Sequence, residues 1–303
     1  MKINYNGSDI TDKINLESCI LTDRYGGLLD SIRLVINDKD NEWTGVKKGD
    51  EITVSMDGYN SGMMYLVTPT SKDSKLTLDA VSLKQSKKVV KSKIWRHVRL
   101  TEILSDCAKN NDLTLKTYGI IDYTYESVAQ IQKTDLEFAS MVCQREGYSV
   151  KVDDDCLIVF NEYFMESQDT KLTITPDDVK SGSSFSESSK CVSSFTVSYY
   201  DCEKGLIEQT AVDGEVLGGS EIKNERVTSY DEAKRFAYGY LRQRNKNHIT
   251  GRLTMPYNKG ISAGTLFHAN GFREYDGKYV VSEVSHNITR EISSLIVRKV
   301  LNY

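Results

Sequence analysis

Apolar and polar positions alternate over most of the first ninety residues, and this pattern predicts β-strands. Residues 52–56 and 75–81 place apolar side chains at about every second position, and a further strand is predicted between them at 63–68. Asp57 and Gly58 supply a turn between the first two of these segments. Short strands that are separated by polar turns predict a small β-barrel or β-sandwich at the start of the chain.

The apolar spacing becomes helical in the middle of the chain. One predicted helix carries an apolar face of Leu100, Ile103, Leu104, Cys107 and Ala108. A second helix begins at a capping box of Thr134 and Glu137 and ends at Gly147. Its predicted buried stripe consists of Leu136, Ala139, Val142 and Cys143. A hairpin with strands at 149–152 and 156–160 follows, so this region is expected to be a compact α+β unit.

The strand pattern returns in the last part of the chain. Segments 192–200 and 206–212 are predicted to pair as a hairpin, and a helix capped by Ser229 follows them. The Ser-rich segment 180–190 predicts a loop or an entry linker. Four more strands are predicted at 250–255, 265–268, 279–286 and 293–301.

Two β regions therefore flank a helical middle, which predicts a mainly β fold with an α+β insert. The expected domains are a first β-barrel at 1–92, a small α+β domain at 93–165 and a second β-barrel with one helix at 166–303. Strand exchange between the two barrels is compatible with the pattern.

The composition indicates an ordinary globular chain of 303 residues with a formal net charge of −4. This charge gives no reason to expect a specific nucleic-acid partner. The apolar runs are too short for a membrane span, and the polar N-terminus lacks the apolar core of a signal peptide. The protein is therefore expected to stay in the cytoplasm where it is made.

The segment 84–99 contains seven basic residues, no acidic residue and Trp95. Basic charge beside an aromatic ring is compatible with nucleic-acid binding. A solvated connector whose Trp95 packs against the next domain is favoured, because one aromatic ring is too few for base stacking. The six cysteines are scattered without a CxxC pair, which predicts reduced and mostly buried thiols rather than disulfides.

Motifs for catalysis or metal binding are weak. The segment 271–278 resembles a phosphate-binding loop, but it has five residues between its glycines instead of four and favours a β-turn at Asp276 and Gly277. The acidic run 153–155 lacks the spacing of a calcium loop. No two of the histidines have the spacing of metal ligands; they are His97, His248, His268 and His286. We therefore expect no catalytic residue, no cofactor and no metal.

Motif residues occur in a characteristic order along nearly the whole chain. In the first two thirds they are Asp30, Asp38, Trp43, Trp95, Asp135, Leu136, Phe138, Gly147 and Tyr148. In the last third they are Gly251, Gly264, Gly271, Phe272, Gly277, Tyr279 and His286. With this order the chain resembles the phage late control D family, the baseplate hub proteins of phage tails, tailocins and related contractile injection particles.

The resemblance implies a structural protein and not an enzyme. Hubs of this family are homotrimers in which each subunit contributes two tail-tube-like β-barrels, so that six barrels match one ring of a six-fold tail tube. The opposite face is three-fold and seats a spike. The implied partners are two further copies, the tail tube protein, the spike protein and other baseplate proteins, and the implied location is the tail baseplate of a phage or phage-tail-like particle.

The motif residues are expected to act in packing or at interfaces. For His286 this means packing or an interface hydrogen bond, and for Phe272 and Tyr279 a place in the core or between subunits. The alternative function is a cell-wall-binding or cell-wall-degrading protein that such a particle delivers. That alternative requires a carboxylate pair or a metal in a deep cleft.

Overall fold

The computed structural model describes residues 1–27, 29–56, 59–84, 89–170 and 172–303. The predicted turn at Asp57 and Gly58 lies outside the described residues, and so do Lys87 and Lys88 of the basic segment.

Antiparallel strands from the first part of the chain form one β core. They are β1 (Lys2–Tyr5), β2 (Ser8–Asp9), β3 (Leu16–Arg24), β4 (Ser31–Asn37), β5 (Glu51–Met56), β6 (Tyr59–Asn60), β7 (Met64–Lys72) and β8 (Lys75–Val81). The pairing order is β3-β4-β8-β7-β5-β1-β2, with β6 beside β5. Apolar and polar residues alternate along these strands, so one face of the sheet points into the core. The residues that are fully buried on this face include Ile3, Leu34, Ile52, Val54 and Leu78. The strands predicted at 52–56, 63–68 and 75–81 correspond to β5, β7 and β8.

The middle of the chain combines helices with short strands. Its elements are β9 (Lys91–Arg99), α1 (Leu100–Lys109), β10 (Thr114–Tyr118), β11 (Thr124–Lys133), α2 (Asp135–Arg145), β12 (Tyr148–Asp153), β13 (Cys156–Asn161) and α3 (Glu162–Glu166). The predicted apolar face of α1 is fully buried. The predicted capping box of α2 also forms, because Thr134 N donates to Glu137 at 2.9 Å and Glu137 N donates to Thr134 at 3.3 Å. Gly147 ends the helix with φ 76°.

The connector predicted for 84–99 is wrong over most of its length. Residues 91–99 form β9, which pairs antiparallel with β11, although the two strands are about thirty residues apart in sequence. The strand places Trp95 inward, where its ring stacks on Phe138 at a centroid distance of 6.3 Å. The predicted packing of Trp95 is therefore confirmed. The basic residues obscured the strand because Lys93, Arg96 and Arg99 interrupt its apolar positions, which are Ile94, Trp95 and Val98.

The last part of the chain contains the remaining strands and the longest helix. Its elements are β14 (Leu172–Ile174), β15 (Ser184–Glu187), β16 (Val192–Asp201), β17 (Gly205–Val212), β18 (Gly219–Asn224), α4 (Tyr230–Asn245), β19 (Ile249–Pro256), β20 (Leu266–Ala269), β21 (Gly277–Asn287) and β22 (Ile292–Lys299). The predicted β16–β17 hairpin and the Ser229 cap of α4 are confirmed. The Ser-rich segment is not all loop, because it contains β15, which pairs with β19.

Three hydrophobic cores organise these elements, and they confirm a mainly β fold with an α+β part between two β cores. The second β core is built by β14, β15 and β19–β22. The sheet β17-β16-β18 and α4 pack instead with α1 and α2, through Phe195, Val197, Ile207 and Phe236. The bounds 1–92, 93–165 and 166–303 stay a prediction, and this packing favours counting residues of β16–α4 with the middle core.

Candidate functional site

One long strand, β21, joins the two β cores into a continuous sheet. Its first residues, 277–280, pair with β20 of the second core, and its residues 283–287 pair with β3 of the first core. The register against β22 shifts between Val281 and Glu283, which marks a β-bulge. A bulge bends and twists a strand locally, and this one lies where the strand changes its partner. The junction of the two cores is therefore built into the backbone.

A buried cluster of charges holds the middle core against this junction. Lys151 of β12 donates to Asp23 of β3 at 2.5 Å and lies 2.9 Å from the carboxylate of Asp30. Asp30 also accepts from Arg24 N at 2.8 Å, and Asp23 accepts from Ala263 N of the second core at 2.8 Å. Lys151 thus joins the middle core to the first core, and Asp23 extends this link to the second core.

The two carboxylates of this cluster share a single cation. Burial raises the pKa of Asp30 to about 6, the charge of Lys151 works against that shift, and the charge of Asp23 adds to it. Asp30 is one of the residues of the sequence motif, and it is buried in this cluster.

A second buried cluster lies where α3, α4 and β22 meet. Glu162 and Glu166 are four residues apart and therefore share one face of α3. Glu166 accepts from Arg242 of α4 at 2.6 Å and from Arg298 of β22 at 2.5 Å. Glu162 lies 3.1 Å from Arg242, 3.2 Å from Arg298 and 3.2 Å from Lys246.

The cations of this second cluster keep its carboxylates ionised. Burial opposes the charge of Glu162, but Arg298, Lys246 and Arg242 outweigh it and lower its pKa to about 2. Ser149 of β12 also donates to Glu162. A fully desolvated network of this kind gives little net stability, but it is costly to break, because a remaining partner would be buried without its counter-charge. It therefore holds α3, α4 and β22 in one arrangement.

The chain enters the junction through a segment that must lie close to β12. Gly26 has φ +79°, and a Cβ at this position would come within 2.8 Å of Ser149 Cβ. Gly27 N donates to Val150 O at 2.6 Å. Glycine allows both the left-handed conformation and the close approach. The ring of Tyr25, one residue earlier, lies under Arg298 with a centroid distance of 5.9 Å.

Two more residues of the sequence motif lie at this junction. Gly264 faces the ring of Tyr25, which a Cβ would approach to 2.9 Å. His286, on the part of β21 that pairs with β3, is buried, and burial lowers its pKa. Its Nε2 lies 3.0 Å from Ile261 O, which can only accept, so Nε2 donates and Nδ1 accepts from Ser293.

The other motif residues pack inside the individual cores. Asp38 accepts from Glu42 N at 2.9 Å, and Trp43 contacts Tyr5 edge-on in the first core. The middle core contains three more motif residues. Asp135 pairs with Lys91 at 2.7 Å, and Tyr148 accepts from Ile121 N at 3.0 Å. Leu136 is partly buried in the same core.

In the second core an aromatic cluster gathers three motif positions around Phe185. Its ring lies 5.0 Å from that of Phe272 and 5.2 Å from that of Tyr279. Gly251 leaves room for it, because a Cβ there would come within 2.7 Å of the ring. A short 3-10 helix replaces the predicted turn at Asp276, with Gly271 before it, and Gly277 opens β21.

Sequence reasoning missed the residues that carry the junction charges. They are Lys151, Glu162, Glu166, Arg242 and Arg298. The available signal was weak: the two glutamates have helical i,i+4 spacing, and Arg242 directly follows the buried face of α4. Charged residues at such positions are mostly exposed, so only the tertiary contacts reveal these as buried.

Side chains of the types that bind metals, a groove beside α2 and free thiols occur in the part of the chain that is described. There, no group of three or more His, Cys, Asp or Glu side chains could hold a metal ion. A groove beside α2 is lined by Leu29, Leu83 and Met141, and among its described lining residues the one carboxylate is that of Glu137, which caps α2. All six thiols are free, and five of them are buried; Cys202 is exposed.

None of the described helices is long and apolar enough to span a membrane.

Comparisons with known proteins relate the chain to phage tails through its fold. No family profile and no curated protein sequence matches the chain. Its structure is similar to a 43 kDa tail protein of prophage MuSo2 from Shewanella oneidensis, with 14% identity, a TM-score of 0.77 and coverage of 98% of both chains. It is also similar to a tail protein from Neisseria meningitidis, with 11% identity, a TM-score of 0.78 and coverage of 98% of this chain and 95% of the other.

A third solved structure extends the likeness to secretion machines. The c3393 protein of E. coli, described as a type VI secretion component similar to the phage T4 tail proteins gp27 and gp5, shares 9% identity. The match covers 99% of this chain and 77% of that protein, with a TM-score of 0.57. These likenesses confirm at the level of the fold the resemblance that the motifs indicated. The chain therefore has the fold of these phage tail proteins.

Proposed function

We propose that this protein is the structural hub of a tail baseplate. In this proposal three copies form a ring, and their six β cores offer six-fold docking to the tail tube protein while the opposite face seats a three-fold spike. The observation that carries the proposal is the whole-chain fold similarity to dedicated phage tail proteins, which includes both β cores. An adaptor between three-fold and six-fold symmetry needs two docking units in each of its three chains, and this chain folds into two linked β cores.

The junction supports a mechanical role. A hub lies in the path of force between the tube and the spike, so its two β cores must keep their relative orientation under load. The continuous strand β21 and the two buried charge clusters provide several independent links between the cores. The proposed activity is therefore assembly and force transmission, without an enzymatic step.

The proposed setting follows from the same assignment. The protein is made and assembled in the bacterial cytoplasm and ends in the tail baseplate of a phage, a tailocin or a related contractile particle. Its partners are two further copies, the tube protein, the spike protein and other baseplate proteins. No specific nucleic-acid partner is part of this proposal.

Size-exclusion chromatography with light scattering tests the proposal. The chain is mixed with the tube and spike proteins of the same particle, and the expected complex contains three copies of the chain. A monomer that persists with both partners present would contradict the hub. The second readout is particle assembly: deletion of the gene should leave tubes without spikes, and the purified protein should not degrade peptidoglycan.

A further inference from the structure

The sheet β17-β16-β18 has one covered face and one bare face. Its inner face packs on α4, whereas its outer face exposes Tyr200 (67%), Leu206 (54%), Val212 (63%) and Ile222 (72%). The hydroxyl groups between them bond one another: Thr196 to Thr210 at 2.8 Å and Ser194 to Ser220 at 2.8 Å. Lys and Arg, which usually protect exposed sheets from pairing, do not occur at the outward positions of these three strands.

The ribbon of β9 and β11 carries a second bare face. Its inner side chains cover α1 and α2, and its outer face exposes Ile94 (64%) and Ile131 (66%) around Ala129 and Ser127. Arg96 lies beside them and is exposed. Both faces belong to the middle core and point away from it.

The two faces carry exposed charges of opposite sign. Glu208, opposite Ser198 on the outer face of the sheet, and Arg96, opposite Ser127 on the ribbon, form no ion pair with any described residue. Like charges across an interface repel, so the sheet face is poorly matched to a copy of itself. It is well matched to the ribbon face in both charge and apolar character.

We propose that the β9–β11 face of one copy docks on the β16–β18 face of a second copy, with Arg96 opposite Glu208. The inference rests on the proposed trimer and names the surfaces that close it. Because each copy carries one face of each kind, the contact is head-to-tail, and such contacts form a ring when the rotation between copies closes.

The size of the two faces fits a contact within a larger assembly. Strands spaced about 4.8 Å apart and six residues long give each face on the order of 300 Å². A stable pair buries roughly 800 Å² on each partner. The contact between these faces therefore adds to contacts made by the β cores, and ring closure strengthens it because each copy is held twice.

Charge reversal tests the pairing directly. The variants are Glu208→Arg, Arg96→Glu and the double variant, and Arg290→Glu, in the exposed turn after β21, is the matched control. Assembly of each with the tube and spike proteins is measured by sedimentation equilibrium. Each single reversal is expected to weaken trimer formation about tenfold, whereas the double variant returns close to wild type and the control has no effect.

The outcomes separate this inference from the proposed function. Trimers that form equally well in both single variants, or a double variant that is weaker than either single one, would overturn the docking and leave the hub intact. A wild-type chain that stays monomeric with both partners would overturn both. Near-ultraviolet circular dichroism of each variant establishes that the surface changes leave the fold unchanged.

Discussion

Replacing Glu166 by Gln removes one of the two carboxylates from the second buried cluster. In the native cluster three cations (Arg242, Arg298 and Lys246) face Glu166 and Glu162, and Glu166 itself bonds two guanidinium groups at 2.6 and 2.5 Å. After the substitution the carboxylate of Glu162 faces two buried guanidinium groups and the partly exposed ammonium group of Lys246. The NH2 group of the new amide is a donor, so it cannot accept from a guanidinium group as the carboxylate oxygen did. Breaking a buried pair in this way costs about 3–5 kcal/mol. The lower value corresponds to a roughly 150-fold change in the unfolding equilibrium constant.

Urea unfolding measures this loss, and two tryptophans report on it separately. Trp43 lies in the first β core and Trp95 in the middle core. With a denaturant slope of about 3 kcal/mol per molar, the midpoint is expected to fall by on the order of 1 M. The matched control is Asp79→Asn, which breaks the surface pair with Arg33 (N–O distance 2.6 Å) and should cost less than about 1 kcal/mol.

Equal losses in Glu166→Gln and Asp79→Asn would refute the reasoning, since the buried cluster would then contribute no more than an exposed pair. A double variant, Glu166→Leu with Arg298→Met, provides the converse test. Apolar side chains of similar volume remove the unpaired charge, so the double variant should recover part of the stability lost by Glu166→Gln.

Three further predictions concern single positions. Burial raises the pKa of Asp30 to about 6, so the protonated carboxyl group stabilises the folded state below about pH 4, and this stabilisation is lost as pH rises through 6. Urea midpoints across pH 4–7 should therefore show wild type losing on the order of 2 kcal/mol of stability relative to Asp30→Asn as pH rises. Gly239→Ala places a Cβ 2.2 Å from Arg145 O and should cost about 1–3 kcal/mol in thermal unfolding, unlike Gly214→Ala, whose Cβ meets nothing within 4 Å. Thr134→Ala removes the cap of α2 and should cost about 1 kcal/mol in urea, and an unchanged midpoint would contradict the capping role.

Local patterns predicted most individual elements of the fold. The buried face of α1, the capping boxes and the hairpin β16–β17 depend on contacts between residues close in sequence, where periodicity and capping chemistry are informative. The motif order also includes Asp30, Gly264 and His286, which the structure places at the junction. Their roles could not be assigned, because each role depends on partners from other parts of the chain.

Strands that pair over a distance escaped prediction. The sequence predicts a connector at β9 because its basic residues interrupt the strand pattern, and it predicts a loop at β15 because that strand lies in a run of serines. Both segments are strands because they pair with another strand: β9 pairs with β11, and β15 pairs with β19. The sequence also did not predict that α4 packs with the middle core. The apolar stripe of α4 shows which side of the helix is buried, but it does not identify the element that covers it.

The sequence by itself determined the class of the fold, the bounds of the local elements and the motif order that indicates a tail protein. Only the tertiary structure decided that β21 links two β cores, that Lys151 and the α3 glutamates are buried, and that two bare faces carry opposite charges. The physical reason is that periodicity reports only which side of an element is buried. Charge burial and strand pairing are set by groups up to hundreds of residues away, whose approach no local pattern encodes.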